Sequence, residues 1–150
     1  VHWGDQDKYG HVNNVNYLRY FESGRKFGLR GRLDDMGWWR GFCKRRRADG
    51  SQRTSVGIIL KSVAATYRAP VEWPDTLSIA VRVDPTTLRR DRVTQRFYAV
   101  SHAQQRIVAE GEATIVTYDY DVGRKAPIPA AVFSALKKGE GLDIEWEDLK

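Results

Sequence analysis

The stretch NVNYLRYFESGRKFGLR, residues 14–30, decides the fold. It contains no proline, and its apolar side chains recur at the spacing of one face of an α-helix, at Val15, Leu18 and Phe21. Gly24 and Gly28 lie on the same side of this helix as Tyr17 and Phe21. A glycine inside a helix costs about 1 kcal/mol relative to alanine, so two of them on one face indicate very close packing there. The stretch therefore predicts a long helix that a curved sheet wraps.

Four segments after this helix have the composition of β-strands. They are rich in Val, Ile, Thr, Tyr and Phe, and they span residues 56–69, 75–84, 92–102 and 107–120. Short links that contain proline, aspartate or glutamine separate them, and links of this length join antiparallel neighbours. Residues 1–4 are interpreted as a strand that the chain enters partway, which indicates an incomplete N terminus. The prediction is an α+β fold in which an antiparallel meander of about five strands wraps one long central helix.

The length of 150 residues is that of one domain. We expect its core within residues 1–125, and a short helix at 130–138 with a charged tail within residues 126–150. The segment 34–53 breaks the pattern because it is polar, basic and punctuated by glycines. Its aromatic residues Trp38, Trp39 and Phe42 hint at a lined pocket. Its basic run at 44–47 fits a cofactor lip, a pocket lid or a patch for another macromolecule equally well.

Composition narrows the partners and the compartment. With 25 Lys and Arg against 19 Asp and Glu, the chain carries a net charge of +6, which favours polyanions: nucleic acid, acidic lipid head groups or the phosphates of a cofactor. Cys43 is the only cysteine, so an intramolecular disulfide and a cysteine-based zinc site are both excluded. An intracellular location is expected, either cytoplasmic or organellar such as mitochondrial. Apolar runs fall far short of the roughly 20 residues that span a bilayer.

The segment VHWGDQDKYGHVNNVNYLRYFESGR, residues 1–25, resembles the opening signature of hotdog-fold thioesterases. The nearest group is the 4-hydroxybenzoyl-CoA thioesterase-like family. Beyond residue 25 the resemblance continues as element order and as the pattern Tyr67-Arg-Ala-Pro70 followed by Asp75-x-Leu77, to about residue 120. The resemblance implies a hotdog fold and an enzyme that hydrolyses an acyl-CoA-type thioester. It implies no cofactor besides the CoA of the substrate, and no metal.

The same resemblance assigns the chemistry to the loop before the helix. In that family the second aspartate of the Asp-x-Asp pair, here Asp7, attacks the thioester carbonyl or activates the water that does. The N–H at the start of the helix, here at about Asn14, polarises the carbonyl oxygen. A helix N terminus offers unpaired N–H groups and partial positive charge to such an oxygen, which supports the assignment. Asp7 as a mere turn or capping residue is the alternative.

His11 is the third member of the predicted catalytic set. Acyl-carrier-protein thioesterases of plants resemble this stretch through an Asp-x-Asn-x-His arrangement that falls on Asp7, Tyr9 and His11, and Tyr9 departs from it. His11 is therefore either catalytic or substrate-orienting, or a structural hydrogen-bonding residue. The predicted substrate contacts are in the loop and the first helical turns: Tyr9, Gly10, Asn13 and Tyr17. Asn13 is also expected to cap the helix or to brace Asp7.

Several charged residues have secondary roles in this interpretation. Asp5 is expected to support the loop, and Glu22 to pair with Arg25, with Glu22 held as a reserve catalytic carboxylate. Arginines bind phosphates in bidentate fashion, so basic residues at strand ends are the predicted contacts of CoA. These are Arg89, Arg90, Arg124 and Lys125.

The fold also predicts the assembly and leaves other functions open. A homodimer or a homotetramer is expected, because this fold usually builds its site where two subunits meet. A hotdog hydratase or dehydratase and a non-catalytic acyl-CoA-binding module are the alternatives to a thioesterase. Nucleic-acid binding rests on net charge and the arginine run at 45–47 alone, without a recognition motif, and is not expected.

Overall fold

A computed structural model of the chain describes residues 1–33 and 56–149, and for residues 26–33 it describes the backbone alone. The basic aromatic segment at 34–53 lies outside the described residues, and the packing predicted at Gly28 falls outside the described side chains. Within the described residues no helix is both long enough and apolar enough to cross a membrane.

The described chain forms two helices and five strands. In chain order they are α1 (Asn14–Leu33), β1 (Val56–Tyr67), β2 (Leu77–Arg89), β3 (Arg92–Ser101), β4 (Arg106–Asp119), β5 (Arg124–Lys125) and α2 (Ala130–Glu140). All strand pairs are antiparallel, and the sheet order is β1-β4-β3-β2, with β5 paired to the end of β4. One long helix on an antiparallel sheet of five strands is the predicted fold class, which is confirmed.

The predicted meander is only partly right, because β1 pairs with β4 instead of β2. Strands β2, β3 and β4 are joined by short turns and do follow one another across the sheet. The link between β1 and β2 is longer and contains Pro70 and Pro74. It crosses the end of the sheet, where the N–H groups of Arg68 and Ala69 donate to the carbonyl oxygen of Val108 in β4. This crossing places the link beside the loop that precedes α1.

The predicted N-terminal strand is wrong, since Trp3–Asp5 is a 3₁₀ turn. The Asp5 carboxylate accepts the His2 N–H at 2.7 Å, which favours the turn over an extended chain. The fifth strand is instead the two-residue β5. Strand β2 also runs past its predicted end, through Pro85 to Arg89. Its pairing with β3 shifts register between Asp84 and Arg89, and such an irregularity is where a strand tolerates proline.

Helix α1 packs directly on the concave face of the sheet. Phe21 stacks on Phe97 of β3 with ring centroids 5.2 Å apart, and both side chains are about 1% exposed. A Cβ at Gly24 would lie 2.6 Å from Cγ2 of Ile79 in β2, so the close packing predicted at this glycine is present. Gly111 in β4 allows an equally close contact from the sheet, because a Cβ there would overlap the ring of Phe21.

Helix α2 and the segment after it cover the other end of the same face. Val132, Phe133 and Leu136 join Val93 and Ile115 in a second buried cluster. The predicted short helix is therefore present as α2, and the core extends through residues 126–149 instead of ending at residue 125 as predicted. The last described residue, Leu149, is buried, and its carbonyl oxygen accepts Nε of Arg90 at 2.8 Å.

We expect Gly111→Ala to lower the free energy of unfolding by about 1–3 kcal/mol, the usual cost of overpacking a core. The added Cβ would lie 2.7 Å from Cε2 of Phe21 and 3.1 Å from the carbonyl oxygen of Ala64. Urea denaturation measures the effect. Gly4→Ala is the control, because nothing lies within 4 Å of a Cβ there. Equal stability of the two variants would show that α1 does not press on β4 at this point.

Candidate active site

A tight turn before α1 fixes the backbone of Asp7. Its N–H donates to the carbonyl oxygen of His11 at 2.8 Å, and its carbonyl oxygen accepts the Gly10 N–H at 3.0 Å. Gly10 has φ +79°, a conformation that glycine adopts without strain. The side chain of Asp7 also takes part, since Oδ1 accepts the Tyr9 N–H at 2.8 Å. Oδ2 accepts no hydrogen bond from any described residue.

Asp5 ties this loop to the helix. Its carbonyl oxygen accepts the Asn13 N–H at 2.9 Å and Nδ2 of Asn16 at 2.8 Å. Its carboxylate accepts the Tyr20 hydroxyl at 2.8 Å. Burial opposes ionisation of Asp5, but the hydrogen bonds from the His2 N–H and the Tyr20 hydroxyl outweigh it and hold its pKa below the ordinary value. Asp5 is thus a partly buried brace of the loop.

The start of α1 leaves one N–H group unused. Asn13 has the contacts of an N-cap, because its Oδ1 accepts the Val15 N–H at 3.0 Å and its carbonyl oxygen accepts the Asn16 N–H at 2.9 Å. For the Asn14 N–H, no acceptor exists among residues 1–33 and 56–149. This donor lies at the positive end of a long helix, where it suits an oxygen that gains negative charge.

The three predicted catalytic residues line one cavity of about 310 Å³. Its lining comes from the loop, the start of α1 and the chain after β1: Asp7, His11, Val12, Asn14, Tyr17, Tyr67, Arg68, Ala69 and Pro70. A larger cavity of about 530 Å³ between α1 and the β2 edge contains neither a carboxylate nor a free helix terminus among its described lining residues. The smaller cavity is the candidate site because its lining includes a carboxylate and a helix N terminus with a free N–H group.

Two tyrosines form a wall of this cavity. Tyr17 is about 2% exposed, and burial raises its pKa, so it stays protonated at neutral pH. Its ring meets that of Tyr67 edge-on at 5.3 Å, and the Tyr67 hydroxyl donates to the carbonyl oxygen of Asn14 at 3.1 Å. Tyr67 and Arg68 had no predicted role in the site. Their only signal in the sequence was the Tyr67-Arg-Ala-Pro70 pattern.

His11 has an acidic neighbour from a second loop. Its Nε2 lies 3.6 Å from Oε1 of Glu72, with both side chains partly exposed to solvent. The Glu72 loop is tied to the Asp7 loop by the Val12 N–H, which donates to the Val71 carbonyl oxygen at 2.7 Å. Glu72 is a residue that sequence reasoning missed, because 61 positions separate it from His11.

Three of the predicted substrate contacts do not line the cavity. Tyr9 is 72% exposed, and Nζ of Lys8 lies 4.9 Å from its ring centroid. Gly10 shapes the turn and Asn13 caps the helix, as described above. Glu22 is exposed on α1 outside the cavity, where its charge acts on Arg25 as the helical spacing predicted.

The predicted CoA contacts lie at the other end of the sheet from Asp7 of the same chain. Arg89 ends β2 and Arg90 follows it in the β2–β3 turn, and Lys125 of β5 lies 3.4 Å from Asp91 in that turn. The candidate site instead adjoins the far end of β3 and the start of β4. Ten residues of β3 separate the two ends, about 30 Å at the usual rise per residue.

Asp75 anchors the second loop, and we expect Asp75→Asn to destabilise the protein in a pH-dependent way. Burial opposes ionisation of Asp75, but the Ser101 hydroxyl and the N–H groups of Ala103 and Thr76 hold its pKa below the ordinary 3.8. Because the folded pKa is depressed, this stabilisation is complete above about pH 4 and disappears as the pH falls through the folded value.

The variant should therefore lose about 1–3 kcal/mol of unfolding free energy at pH 7, and the gap to wild type should narrow below about pH 4. Urea denaturation at pH 7 and at pH 3 measures both. Asp121→Asn, on an exposed turn, is the matched control. A gap that stays constant with pH would contradict the assignment of the effect to the carboxylate charge.

Comparisons with known proteins agree with this geometry. The model of the thioesterase-like superfamily matches residues 1–136. A thioesterase superfamily protein from Jannaschia sp. CCS1 is 27% identical, with a TM-score of 0.76 over 97% of this chain and 82% of that one. No curated protein matches the chain.

Two further solved structures share the fold. The probable thioesterase YbaW from Escherichia coli is 20% identical, with a TM-score of 0.73 over 93% of this chain and 94% of that one. A thioesterase from Thermus thermophilus, complexed with coenzyme A and Zn, is 24% identical, with a TM-score of 0.71 over 95% of this chain and 91% of that one.

Proposed function

Because this chain belongs to the thioesterase-like superfamily and is a thioester hydrolase, we propose that it cleaves acyl-CoA-type thioesters with Asp7 as the catalytic carboxylate. The observation that carries the proposal is the cavity of about 310 Å³, which is lined both by Asp7 and by Asn14, the residue with the unpaired N–H. A carboxylate and an oxyanion donor are the two groups that thioester hydrolysis requires.

In the proposed reaction, the thioester carbonyl oxygen accepts the Asn14 N–H while its carbon lies beside Asp7. The Asp7 carboxylate either adds to this carbon or takes a proton from a water that adds to it. The C–S bond then breaks, the thiolate of CoA leaves and takes up a proton, and the acid is released. The first route passes through an anhydride that water hydrolyses to regenerate Asp7. Thiolate is a good leaving group, so neither route needs a Ser-His triad.

His11 and Tyr17 complete the site in this proposal. His11 is held beside Glu72 and contacts the substrate, while the protonated Tyr17 forms the wall against which the acyl group packs.

CoA as the thiol is supported by charge and by relatives. The net charge of +6 favours a substrate that carries phosphates. The similar fold from Thermus thermophilus binds coenzyme A, and another, BH1999, is a gentisyl-coenzyme A thioesterase. These relatives support a CoA ester over other thioesters.

We propose that a second copy of the chain completes the site, because β1 is an edge strand of the sheet that the described residues form. Three of its side chains share the concave face with buried residues of β4 and yet remain more than 40% exposed: Leu60, Val63 and Tyr67. An edge strand with exposed apolar side chains is a template for pairing with another strand. We therefore place two β1 strands side by side, antiparallel, across a two-fold axis.

This pairing explains where the predicted CoA contacts lie. With the axis near the middle of β1, Val56 of one copy lies opposite Tyr67 of the partner subunit, which lines the partner's cavity. At the Val56 end of β1, the order across the sheet is β1, β4 and β5. Strand β5 is therefore two strands away from β1, a distance of about 10 Å. In this arrangement Arg124 and Lys125 lie closer to the partner's site than to Asp7 of their own chain.

The direct test offers the purified protein a panel of aromatic, short-chain and long-chain acyl-CoAs and follows release of free thiol and, separately, hydration of unsaturated acyl groups. We expect thiol release with at least one member and no hydration. Absence of thiol release across the panel, with acyl-pantetheine and carrier-protein thioesters included, would contradict the proposed reaction. Release from carrier-protein thioesters alone would contradict the assignment of CoA.

A further inference from the structure

A small cavity lies between the sheet and α2, and its volume is about 40 Å³. Apolar side chains from β1, β3, β4 and α2 line it, among them Ile58, Val93, Ile115 and Leu136. Gln95 of β3 also lines it and is about 4% exposed. The side-chain oxygen of Gln95 has no hydrogen-bond partner in the described part of the chain. Buried polar atoms are almost always paired, so this oxygen calls for a donor that residues 1–33 and 56–149 do not supply.

Two more polar side chains line the cavity. Arg92 does not bond the Gln95 oxygen, and its Nε lies 3.8 Å from Oδ1 of Asp91; Thr117 is also an acceptor. The Thr117 hydroxyl has one proton, which is directed to the carbonyl oxygens of Asp91 and Ala126 at 3.1 and 2.5 Å. What remains to face the cavity is a lone pair. A ligand that fits here is apolar along its length and carries a hydrogen-bond donor at its end.

The cavity is too small for an aromatic ring. A dry protein cavity that binds benzene has a volume of about 150 Å³, nearly four times larger. The end of an unbranched chain with a hydroxyl group fits the 40 Å³ that are present here. The donor requirement and the volume together point to a hydroxylated aliphatic group.

The position of the cavity relates it to the reaction. Ile58 lies near the Val56 end of β1, which the two-fold pairing proposed above places beside the partner's site. We propose that this cavity receives the far end of an acyl chain and that Gln95 selects chains with a terminal hydroxyl group. This inference rests on the proposed thioesterase function and on that pairing, and it makes Gln95 a specificity-determining residue.

The experiment compares kcat/KM for pairs of ω-hydroxyacyl-CoA and unsubstituted acyl-CoA of equal carbon number, over a series of chain lengths. Wild type should prefer the hydroxylated member by about tenfold or more at the length that reaches the cavity. Gln95→Leu, which replaces the acceptor by a methyl group, should abolish the preference. Thr114→Val, which removes a hydroxyl on the opposite face of β4, should keep it.

Val132→Phe fills the cavity from α2 and should also remove the preference. This second variant tests the inference independently if Gln95→Leu does not fold. Equal turnover of both members by wild type, or an unchanged preference in both variants, would overturn the inference and leave a bound water as the partner of Gln95. Thioester hydrolysis itself would stand in that case. No turnover of any thioester would overturn the proposed function, and this inference with it.

Discussion

Asp7→Asn should lower kcat for acyl-CoA hydrolysis by about 10²–10⁴-fold, because an amide neither adds to a carbonyl carbon nor takes a proton from water. The amide oxygen of the variant still accepts the Tyr9 N–H, the contact that Asp7 Oδ1 makes in the turn. The loop should therefore keep its shape, with KM and the melting temperature close to those of wild type.

Asp143→Asn is the matched control for the change of charge, since Asp143 is exposed after α2. A steady-state assay of thiol release with the best substrate of the panel measures both variants. Equal kcat for wild type and Asp7→Asn would show that Asp7 only forms the turn. A large loss of stability in Asp7→Asn would also favour this structural role.

Val63→Lys should convert the protein to a monomer and lower its activity by more than about 100-fold. Val63 lies on the concave face of β1, 42% exposed in the single chain, and a second copy would cover it. A lysine there places a charge in an apolar interface, which opposes pairing of the edge strands. Analytical ultracentrifugation measures the mass and the thiol assay measures the activity of the same sample.

Ala80→Lys is the control, because Ala80 is exposed on β2, at the opposite edge of the sheet. It should leave mass and activity as in wild type. A fully active monomeric Val63→Lys variant would contradict the proposal that the partner subunit completes the site. A dimer that persists in Val63→Lys would move the interface away from β1.

The features that the sequence predicted correctly are local ones. The helical spacing of Tyr17 and Phe21 and the glycine at Gly24 follow from contacts within one helix and its nearest strand. The prediction was wrong for Val15, which is 63% exposed because it lies at the start of the helix, away from the sheet. The strands of the β2–β3–β4 meander follow from composition and short turns. The position of β1 beside β4 depends on a crossing of the sheet end, for which neither strand carries a signal of its own.

The same distinction holds at the candidate site. Asp7, His11 and Asn14 lie within eight residues of one another, and one motif contains all three. Tyr67 and Glu72 join them only through the link between β1 and β2, so the sequence contains no spacing that connects them to Asp7. The basic residues of β5 show most clearly what a single sequence does not predict. They were predicted to bind the CoA of their own chain's substrate, but in the proposed dimer they lie near the substrate of the partner subunit.

The most direct measurement is a crystal structure of Asp7→Asn with an acyl-CoA substrate left uncleaved. We expect the thioester carbonyl oxygen about 2.7–3.1 Å from the N atom of Asn14 and its carbon about 3–3.5 Å from the side chain at position 7. A thioester bound elsewhere, or with its carbonyl carbon more than about 6 Å from position 7, would contradict the catalytic roles of Asp7 and Asn14.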